Sequence, residues 1–241
     1  MADSLSKGTL YGLGVGPGDP ELLTLKALRI LKAAPVIAYP APEKGPSLAR
    51  SIVAPHLPGG QTEIAIRMPL DWARFPLQEV YDRAAREIAE HMAAGRDVAA
   101  LCQGDPFFYG SFMYLFGRLA REWTVVVVPG VSSLGAGAAA LGAPLAARDD
   151  ALVVLPAPLP EAVLEARLED CDAAAIVKLG RHLPKVRRVL KRLGLEDRAR
   201  YVEHASMENQ RIRPLAELGD GEAPYFALVL VHKRGEAWRG A

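Results

Sequence analysis

Residues 101–114 read LCQGDPFFYGSFMY, and they complete a short apolar run, Val98 to Leu101, that is bounded in the manner of a buried strand. The run stops at Gly104-Asp105-Pro106, because glycine permits unusual backbone geometry and proline cannot continue a ladder. Six aromatic residues follow between positions 107 and 116, where a helix is predicted to begin. Since ligands of parallel α/β sheets collect outside the carboxyl ends of strands, this turn is a candidate binding edge.

The composition is typical of a soluble α/β protein. Hydrophobic residues make up 50% of the 241 positions and charged residues 24%, which is sufficient for a core. The net charge of +1 argues against a general nucleic-acid binder, which would carry a strongly basic face. Cys102 and Cys171 are too few for a disulfide framework and lack metal-ligand spacing, so we expect reduced thiols, no metal and a cytoplasmic location. No signal core or membrane-length apolar run is evident, so no membrane association is expected.

A second glycine-rich turn lies near the amino terminus. Thr9 to Val15 is predicted to be a strand, and it runs into GLGVGPGDP at positions 12–20. Alternate glycines leave one edge of the chain without side chains, so its amides can approach a ligand or another strand. The following helix is predicted over 21–32, with Asp19 as its N-cap and Pro20 as its first residue. Neither the dinucleotide fingerprint nor the P-loop pattern is met, and an acidic cap opposes phosphate binding.

The remaining periodicity predicts alternating strands and helices. Strands are predicted at 34–39, 62–66, 123–128, 151–155, 173–179, 200–204 and 225–232, and helices at 47–54, 75–94, 111–121, 161–168 and 183–193. The pattern changes after Pro144, which predicts a 1–130 domain and a 131–241 domain with the active site in the cleft between them. After the Pro129-Gly130 turn, Ser132-Ser133 opens a helix of small residues, and either hydroxyl could cap the helix or donate to a ligand.

Three segments together resemble one family: GLGVGPGDPELLTLKA at 12–27, GDPFFYG at 104–110 and VPGVSS at 128–133. Their order and spacing resemble the tetrapyrrole methyltransferases of corrin and siroheme synthesis, and VEHASMENQR at 202–211 resembles a later segment of the same family. The resemblance implies methyl transfer from S-adenosylmethionine in a two-domain tetrapyrrole methylase fold. Each domain is then a mixed sheet flanked by helices, unlike the Rossmann-type methyltransferases.

The longer string GDPFFYGSFMY, at 104–114, resembles the branch of the family that methylates C20 of precorrin-2 on the way to cobalamin. The alternative substrates are cobalt-factor II or another corrin or siroheme intermediate. The resemblance also implies a homodimer.

Roles for individual residues follow from the same resemblance. The positions implied to bind the cofactor are Pro17, Gln103, Gly104, Asp105, Phe108, Ser132, Ser133, Leu179, Ala205, Phe226 and Ala227. Gln103 stands where many relatives have glycine, so only its backbone is expected to contribute. Asp105 has a second interpretation, since the aspartate of such turns often holds its own backbone.

The substrate bears several carboxylates, and cations are expected to line its site. The loop from Arg67 to Trp72 combines a cation, the Asp71 carboxylate and an indole, which suits an organic acid. The alternative, which the sequence slightly favours, is a solvated loop with Trp72 packed on the core. The substrate-binding candidates are Arg67, Asp71, Tyr109 and Ser111. The candidates for a catalytic base are Tyr109, Glu203 and His204, chosen only because they follow predicted strand ends. Each of the three is equally compatible with a structural role.

Two other classes of function compete with this interpretation. A phosphate-handling nucleotide enzyme would need an anion-binding helix start, which Asp19 opposes. A non-catalytic binding module would use the aromatic residues at 107–116 as a partner surface, or bury them as core.

Overall fold

The computed structural model of the chain describes residues 6–68, 78–219 and 221–234. The chain divides into two compact units, Met1–Ser132 and Ser133–Ala241, and each contains its own sheet. In the described residues each sheet has five strands and is covered by helices on both faces, which confirms the predicted α/β class. None of the helices in these ranges combines the length and apolar character needed to cross a membrane.

The first unit is built on parallel ladders in the order β3-β2-β4-β1-β5. Its elements are β1 Leu10–Gly14, α1 Leu25–Ala33, β2 Val36–Pro42, α2 Leu48–Val53, β3 Thr62–Met68, α3 Gln78–Ala93, β4 Val98–Cys102, α4 Phe112–Leu119 and β5 Val125–Val128. Every residue of β4 is buried, because α1 and α2 cover one face of the sheet and α3 and α4 cover the other. A strand covered on both faces reads as a continuous apolar run, which made β4 recognisable in the sequence.

The start of α1 differs from the prediction. Asp19 does accept from the Glu21 amide at 2.8 Å, but it caps only a single 3₁₀ turn, Pro20–Leu22. The chain is then extended at Leu23, and α1 begins after Thr24, whose hydroxyl accepts from the Ala27 amide. Two capping signals therefore stand five residues apart, and the second one starts the α-helix.

The second unit has a mixed sheet in the order β6-β7-β10-β8-β9. Its elements are α5 Ser133–Leu141, β6 Leu152–Pro156, α6 Glu161–Glu169, β7 Ala173–Val177, α7 Leu183–Arg192, β8 Ala199–Glu203, β9 Arg211–Pro214 and β10 Ala227–His232. β6 runs parallel to β7, and β10 runs antiparallel to both β7 and β8, so β6, β7 and β8 all point the same way. Helix α5 packs on one face of this sheet, and α6 and α7 pack on the other.

Two features of the second sheet were not predicted. β9 is an edge strand of four exposed residues, Arg-Ile-Arg-Pro, so its sequence carries no apolar signal. β7 was expected to run to Leu179 but ends at Val177, because Lys178 adopts a left-handed conformation with φ 58°.

Candidate functional site

Three turns meet at one edge of the first sheet. β1 pairs in parallel with both β4 and β5, so the three strands end at the same edge, with Leu13 opposite Leu101 and Val128. Beyond the strands, the Gly104 amide donates to the Gly16 carbonyl at 2.8 Å, and the Gly16 amide donates back at 3.3 Å. This antiparallel bridge fixes the turn after β4 against the turn after β1.

The glycines of these turns are required by close backbone packing. A Cβ on Gly14 would lie 2.5 Å from the Cα of Gly130, and a Cβ on Gly130 would lie 2.1 Å from the Gly104 carbonyl oxygen. A Cβ on Gly12 would lie 2.4 Å from the ring of Phe112. The side-chain-free edge predicted for the first turn therefore faces other parts of the protein at Gly12 and Gly14.

Asp105 joins two of the turns through its carboxylate. Oδ1 accepts from the amides of Phe107 and Phe108 at 2.9 and 3.1 Å, and Oδ2 accepts from the Gly130 amide at 3.0 Å. Hydrogen bonds to an ionised acceptor are stronger than neutral ones. The structural interpretation of Asp105 is thus confirmed, and it extends further than expected, because the carboxylate also holds the turn after β5.

Gln103 contributes its side chain as well as its backbone. Its Nε2 donates to the carbonyl of Pro17 at 3.2 Å, which adds a second link between the turns after β4 and β1. That Gln103 contacts the cofactor through its backbone alone stays a prediction. Gln103, Gly104 and Asp105 are partly exposed, whereas Pro17 is buried, so the turn after β4 offers the accessible groups at this edge.

The aromatic stretch divides into a buried part and an exposed part. Phe112 is buried beneath Gly12, while Phe107, Phe108 and Tyr109 are 47%, 39% and 44% exposed. The rings of Phe108 and Tyr109 meet edge to face at 5.2 Å. Tyr109 has φ 56°, a conformation that costs a non-glycine residue free energy and often marks a functional site.

Ser111 and Arg67, two of the predicted substrate contacts, lie in different parts of the first unit. Ser111 is partly buried directly before α4, and its hydroxyl makes no capping hydrogen bond to the helix. Arg67, in β3, donates from Nη1 to the Pro42 carbonyl at 3.0 Å, so it supports the loop that follows β2. Asp71 lies outside the described residues.

The candidates of the second unit collect at the edge where β7 and β8 end and β10 begins. Leu179, Ala205 and Ala227 have side chains buried in the cores on the two faces of the sheet, so they offer mainly backbone there. Phe226 is partly exposed, and its carbonyl accepts from the His204 amide at 2.7 Å. The structure therefore brings these four residues and His204 to one sheet edge.

Glu203 and His204 occupy different environments at the end of β8. Glu203 accepts from the Tyr201 hydroxyl at 3.0 Å. Burial, and then this hydrogen bond, raise the pKa of Tyr201 well above its usual range. His204 has φ 50° and its ring lies 6.4 Å from that of Phe226. Of the serine pair, Ser132 ends the first unit and Ser133 is the first residue of α5.

Sequence reasoning did not single out two positions that shape these turns. Gly130 was noted only as part of a turn, although its amide donates to the Asp105 carboxylate and Gly104 approaches it closely. Lys178 was not singled out at all, because nothing in its sequence neighbourhood distinguishes a left-handed lysine from an ordinary strand residue. Among the residues that the structure describes, no cluster of three or more His, Cys, Asp or Glu could hold a metal ion.

The sequence model of the family described as Tetrapyrrole (Corrin/Porphyrin) Methylases matches residues 9–219. The chain belongs to this family. The precorrin-2 C(20)-methyltransferase of a Sinorhizobium species is 44% identical over 93% of this chain and 95% of its own length. The cobalt-precorrin-2 C(20)-methyltransferase of Salmonella typhimurium is 32% identical over 95% and 98% of the two chains.

Other members of the family differ in length or in recorded ligand. The cobalamin biosynthesis protein CobIJ of Mycobacterium tuberculosis is 45% identical over 94% of this chain, but the chain spans only 46% of that relative. Among solved structures, the uroporphyrin-III C-methyltransferase of Thermus thermophilus complexed with S-adenosylhomocysteine superposes with a TM-score of 0.71. It is 28% identical, and the match covers 97% of this chain and all of that one. The expected tetrapyrrole methylase fold is thereby confirmed.

Proposed function

We propose that this tetrapyrrole methylase transfers a methyl group from S-adenosylmethionine to C20 of precorrin-2, giving precorrin-3A in cobalamin biosynthesis. The observation that carries the proposal is the 44% identity to the Sinorhizobium precorrin-2 C(20)-methyltransferase over 95% of that protein. A match that spans both units includes every turn at the candidate site.

The turn after β4 fits the cofactor as the resemblance implies. Asp105 has both carboxylate oxygens engaged by amides, and the Gly104 amide and carbonyl are paired with Gly16, so this partly exposed turn is held rigidly beside the proposed cofactor position. The exposed ring of Phe108 follows directly and offers an apolar surface. These residues, with Pro17, would hold the amino-acid part of the cofactor.

All of the cofactor contacts are predictions, and the others involve the serine pair and the second unit. Ser132 and Ser133 would add hydroxyls, and the adenine and ribose side would meet Leu179, Ala205, Phe226 and Ala227 of the second unit. Because three of those four side chains are buried, we expect their backbone groups and the Phe226 ring to make the contacts. The proposed active site is the cleft between the two units.

The bound cofactor supplies a methyl group on a sulfonium, which is already a good leaving group. The protein therefore needs mainly to align donor and acceptor, and such alignment can contribute about 7–11 kcal/mol. The rigid turn held by Asp105 suits that task. Methylation at a ring carbon that bears hydrogen also releases a proton, for which Tyr109, Glu203 and His204 remain the candidates.

The test is incubation of the purified protein with precorrin-2 and a ¹³C-labelled methyl donor, followed by NMR of the product. We expect the label on C20. A label on another carbon, or no transfer, would reject the proposal. Titration calorimetry with S-adenosylhomocysteine, NAD and ATP separates the enzyme class, because only the first is expected to bind.

A cobalt-bearing substrate is the second candidate. The observation that favours it is the 32% identity to the Salmonella cobalt-precorrin-2 enzyme over 98% of that protein. Parallel assays with metal-free and cobalt-loaded substrate, compared by kcat/KM, decide between them. The higher identity to the Sinorhizobium enzyme leads us to expect a higher kcat/KM for the metal-free substrate.

We also propose that the protein is a cytoplasmic homodimer. The two cysteines, Cys102 and Cys171, are free and buried, as suits a reducing compartment. The dimer is proposed from the family resemblance. Sedimentation equilibrium should give twice the 25.9 kDa of the chain, and a monomer would contradict the proposal.

A further inference from the structure

Strand β7 ends with an irregularity in its side-chain alternation. Ala174 and Ile176 contact the core under α6 and α7, and Ala175 and Val177 contact the core under α5. Regular alternation would next direct residue 178 toward α6 and α7. Instead Leu179 joins that core and is fully buried.

The left-handed conformation of Lys178 shifts the side-chain alternation by one residue. With φ 58° at this position, the chain gains one residue, so Leu179 returns to the core and Lys178 remains exposed at the sheet edge. Glycine would adopt this conformation without strain, whereas a lysine pays for it. The strain is thus borne by a residue that presents a cation at the edge where the strands end.

Strand β8 ends in the same way. Tyr201 contacts the core under α6 and α7 and Val202 the core under α5, yet Ala205 is again on the α5 side. The residue that shifts the alternation is His204, with φ 50°. Since β7 and β8 flank β10, the two left-handed residues are separated by two strand spacings, roughly 10 Å.

The loop after β7 is positively charged. It reads KLGRH over 178–182, and Arg181 is exposed like Lys178. The pKa of His182 is lowered, chiefly by burial and further by Lys185 and Arg181. At the end of β8, the strand beyond β10, the acidic Glu203 accepts a hydrogen bond from Tyr201. The loop after β7 has two exposed cations and no acidic residue, so an anionic group that contacts the loop meets positive charge.

We infer that Lys178 is a substrate-binding residue whose ammonium pairs with a carboxylate of the tetrapyrrole, with Arg181 as the neighbouring cation. The inference rests on the proposed function, and it names the contact that the substrate makes with the second unit. A lysine suits this role because its ammonium is a compact charge on a flexible stem, able to follow a mobile acetate or propionate. The other carboxylate in the reaction belongs to the cofactor, and the experiment separates the two sources.

The decisive variant is Lys178→Gly, because it relieves the strained conformation while it removes the charge. A lysine whose side chain served only the fold would change the free energy of unfolding when removed and leave the kinetics unchanged. For a substrate-binding lysine we expect a rise of about tenfold in KM for precorrin-2, the loss of one charge-assisted contact. The Kd for S-adenosylhomocysteine and kcat should stay within about twofold. Lys178→Arg should restore most of the KM.

The matched control is Arg148→Gly. Arg148 is also an exposed cation in the left-handed conformation, with φ 53°. It precedes β6 at the opposite edge of the same sheet, where His232 at the end of β10 lies 3.0 Å from Asp150. We expect this variant to leave KM for precorrin-2 unchanged.

An unchanged KM for precorrin-2 in Lys178→Gly would overturn the inference. A weakened Kd for S-adenosylhomocysteine with no change in KM would also overturn it, because the carboxylate would then be that of the cofactor. If the wild-type protein fails to methylate precorrin-2, the proposed function fails separately. Fluorescence titration with uroporphyrin, a stable polycarboxylate porphyrin, then tests the contact itself. Weaker binding by Lys178→Gly supports the inference, and equal or absent binding by both proteins rejects it.

Discussion

At the carboxyl edge of the first sheet, β1, β4 and β5 run into turns whose glycines touch one another through bare backbone. At the corresponding edge of the second sheet, β7 and β8 are followed by Lys178 and His204, two non-glycine residues whose backbone is left-handed. The same geometric task, a sharp turn at the end of a strand, is thus met by glycines in one unit and by strained backbone at non-glycine residues in the other.

The difference separates rigidity from chemistry. An added Cβ at Gly14 or Gly130 would lie within 3 Å of backbone atoms of a neighbouring turn, so these glycines hold the turns in fixed positions. The left-handed residues of the second sheet instead present a cation and an imidazole, at a cost in stability. We therefore expect substitutions to damage the first edge through folding and the second edge through binding.

The largest effect is expected for Gly130→Ala. Its Cβ would lie 2.1 Å from the Gly104 carbonyl oxygen and 2.7 Å from the Gly14 Cα, and backbone cannot give way as a flexible side chain can. We expect a loss of about 3 kcal/mol or more in the free energy of unfolding, measured in urea. The control is Gly135→Ala in α5, where no neighbour lies within 4 Å and helix propensity favours alanine by up to about 1 kcal/mol. Equal stability of Gly130→Ala and wild type would show that the glycine packing is dispensable.

Asp105→Asn should have the next largest effect. The amide nitrogen that replaces one oxygen would face a backbone N–H, so either the Phe107 and Phe108 pair or Gly130 loses its acceptor. We expect about 1–3 kcal/mol of destabilisation and about tenfold weaker binding of S-adenosylhomocysteine by calorimetry. Asp170→Asn, an exposed carboxylate after α6, should change neither quantity measurably. If Asp105→Asn binds the ligand as tightly as wild type, the carboxylate does not preorganise the turn.

Gly104→Ala and His204→Gly form a pair that tests conformation without crowding. Gly104 has φ 69° and the nearest neighbour to an added Cβ is 4.0 Å away. Alanine there should lower the free energy of unfolding by about 1–2 kcal/mol through backbone strain alone. His204→Gly should gain up to about 1 kcal/mol, because glycine accepts φ 50° freely. Urea unfolding of both variants checks the opposite signs. Two changes of the same sign would break the comparison between the edges.

The smallest effect concerns pH. The pKa of Tyr201 is raised in the folded state, first by burial and then by its hydrogen bond to Glu203. The unfolded chain therefore loses this proton first, at about pH 10. The stabilisation is fully present below that pH and declines as the pH rises toward the folded pKa, by up to about 1.4 kcal/mol per pH unit. Tyr201→Phe should be about 1 kcal/mol less stable than wild type at pH 8, and the gap should narrow above pH 10. A gap that stays constant would exclude the linkage.

Much of this architecture was predictable because local signals and tertiary packing agree. β4 is a pure apolar run covered on both faces, and the Gly-Asp-Pro turn after it ends the strand where expected. The helix after β1 was misplaced because Asp19-Pro20 and Thr24 are both good starts, and only the extended backbone between them decides. β9 gave no signal, since an exposed edge strand buries nothing.

The site was less predictable than the fold for a physical reason. A glycine in the sequence indicates conformational freedom but does not show which atoms lie beside it. The contact of Gly130 with Gly104 could therefore not be predicted. The left-handed conformation of Lys178 cannot be predicted from the local sequence, because it is imposed by the burial of Leu179 in a core assembled from distant helices.

The bond from Asp105 to Gly130 links segments that are 25 residues apart, and the bridge from Gly104 to Gly16 links segments that are 88 apart. If one of these turns were replaced by that of a relative with different specificity, the two unchanged turns would no longer match the turn they pack against. Chimeric enzymes should therefore exchange all three turns as a single cassette, and the linkage between them explains why piecemeal transplantation would cost activity before it changed specificity.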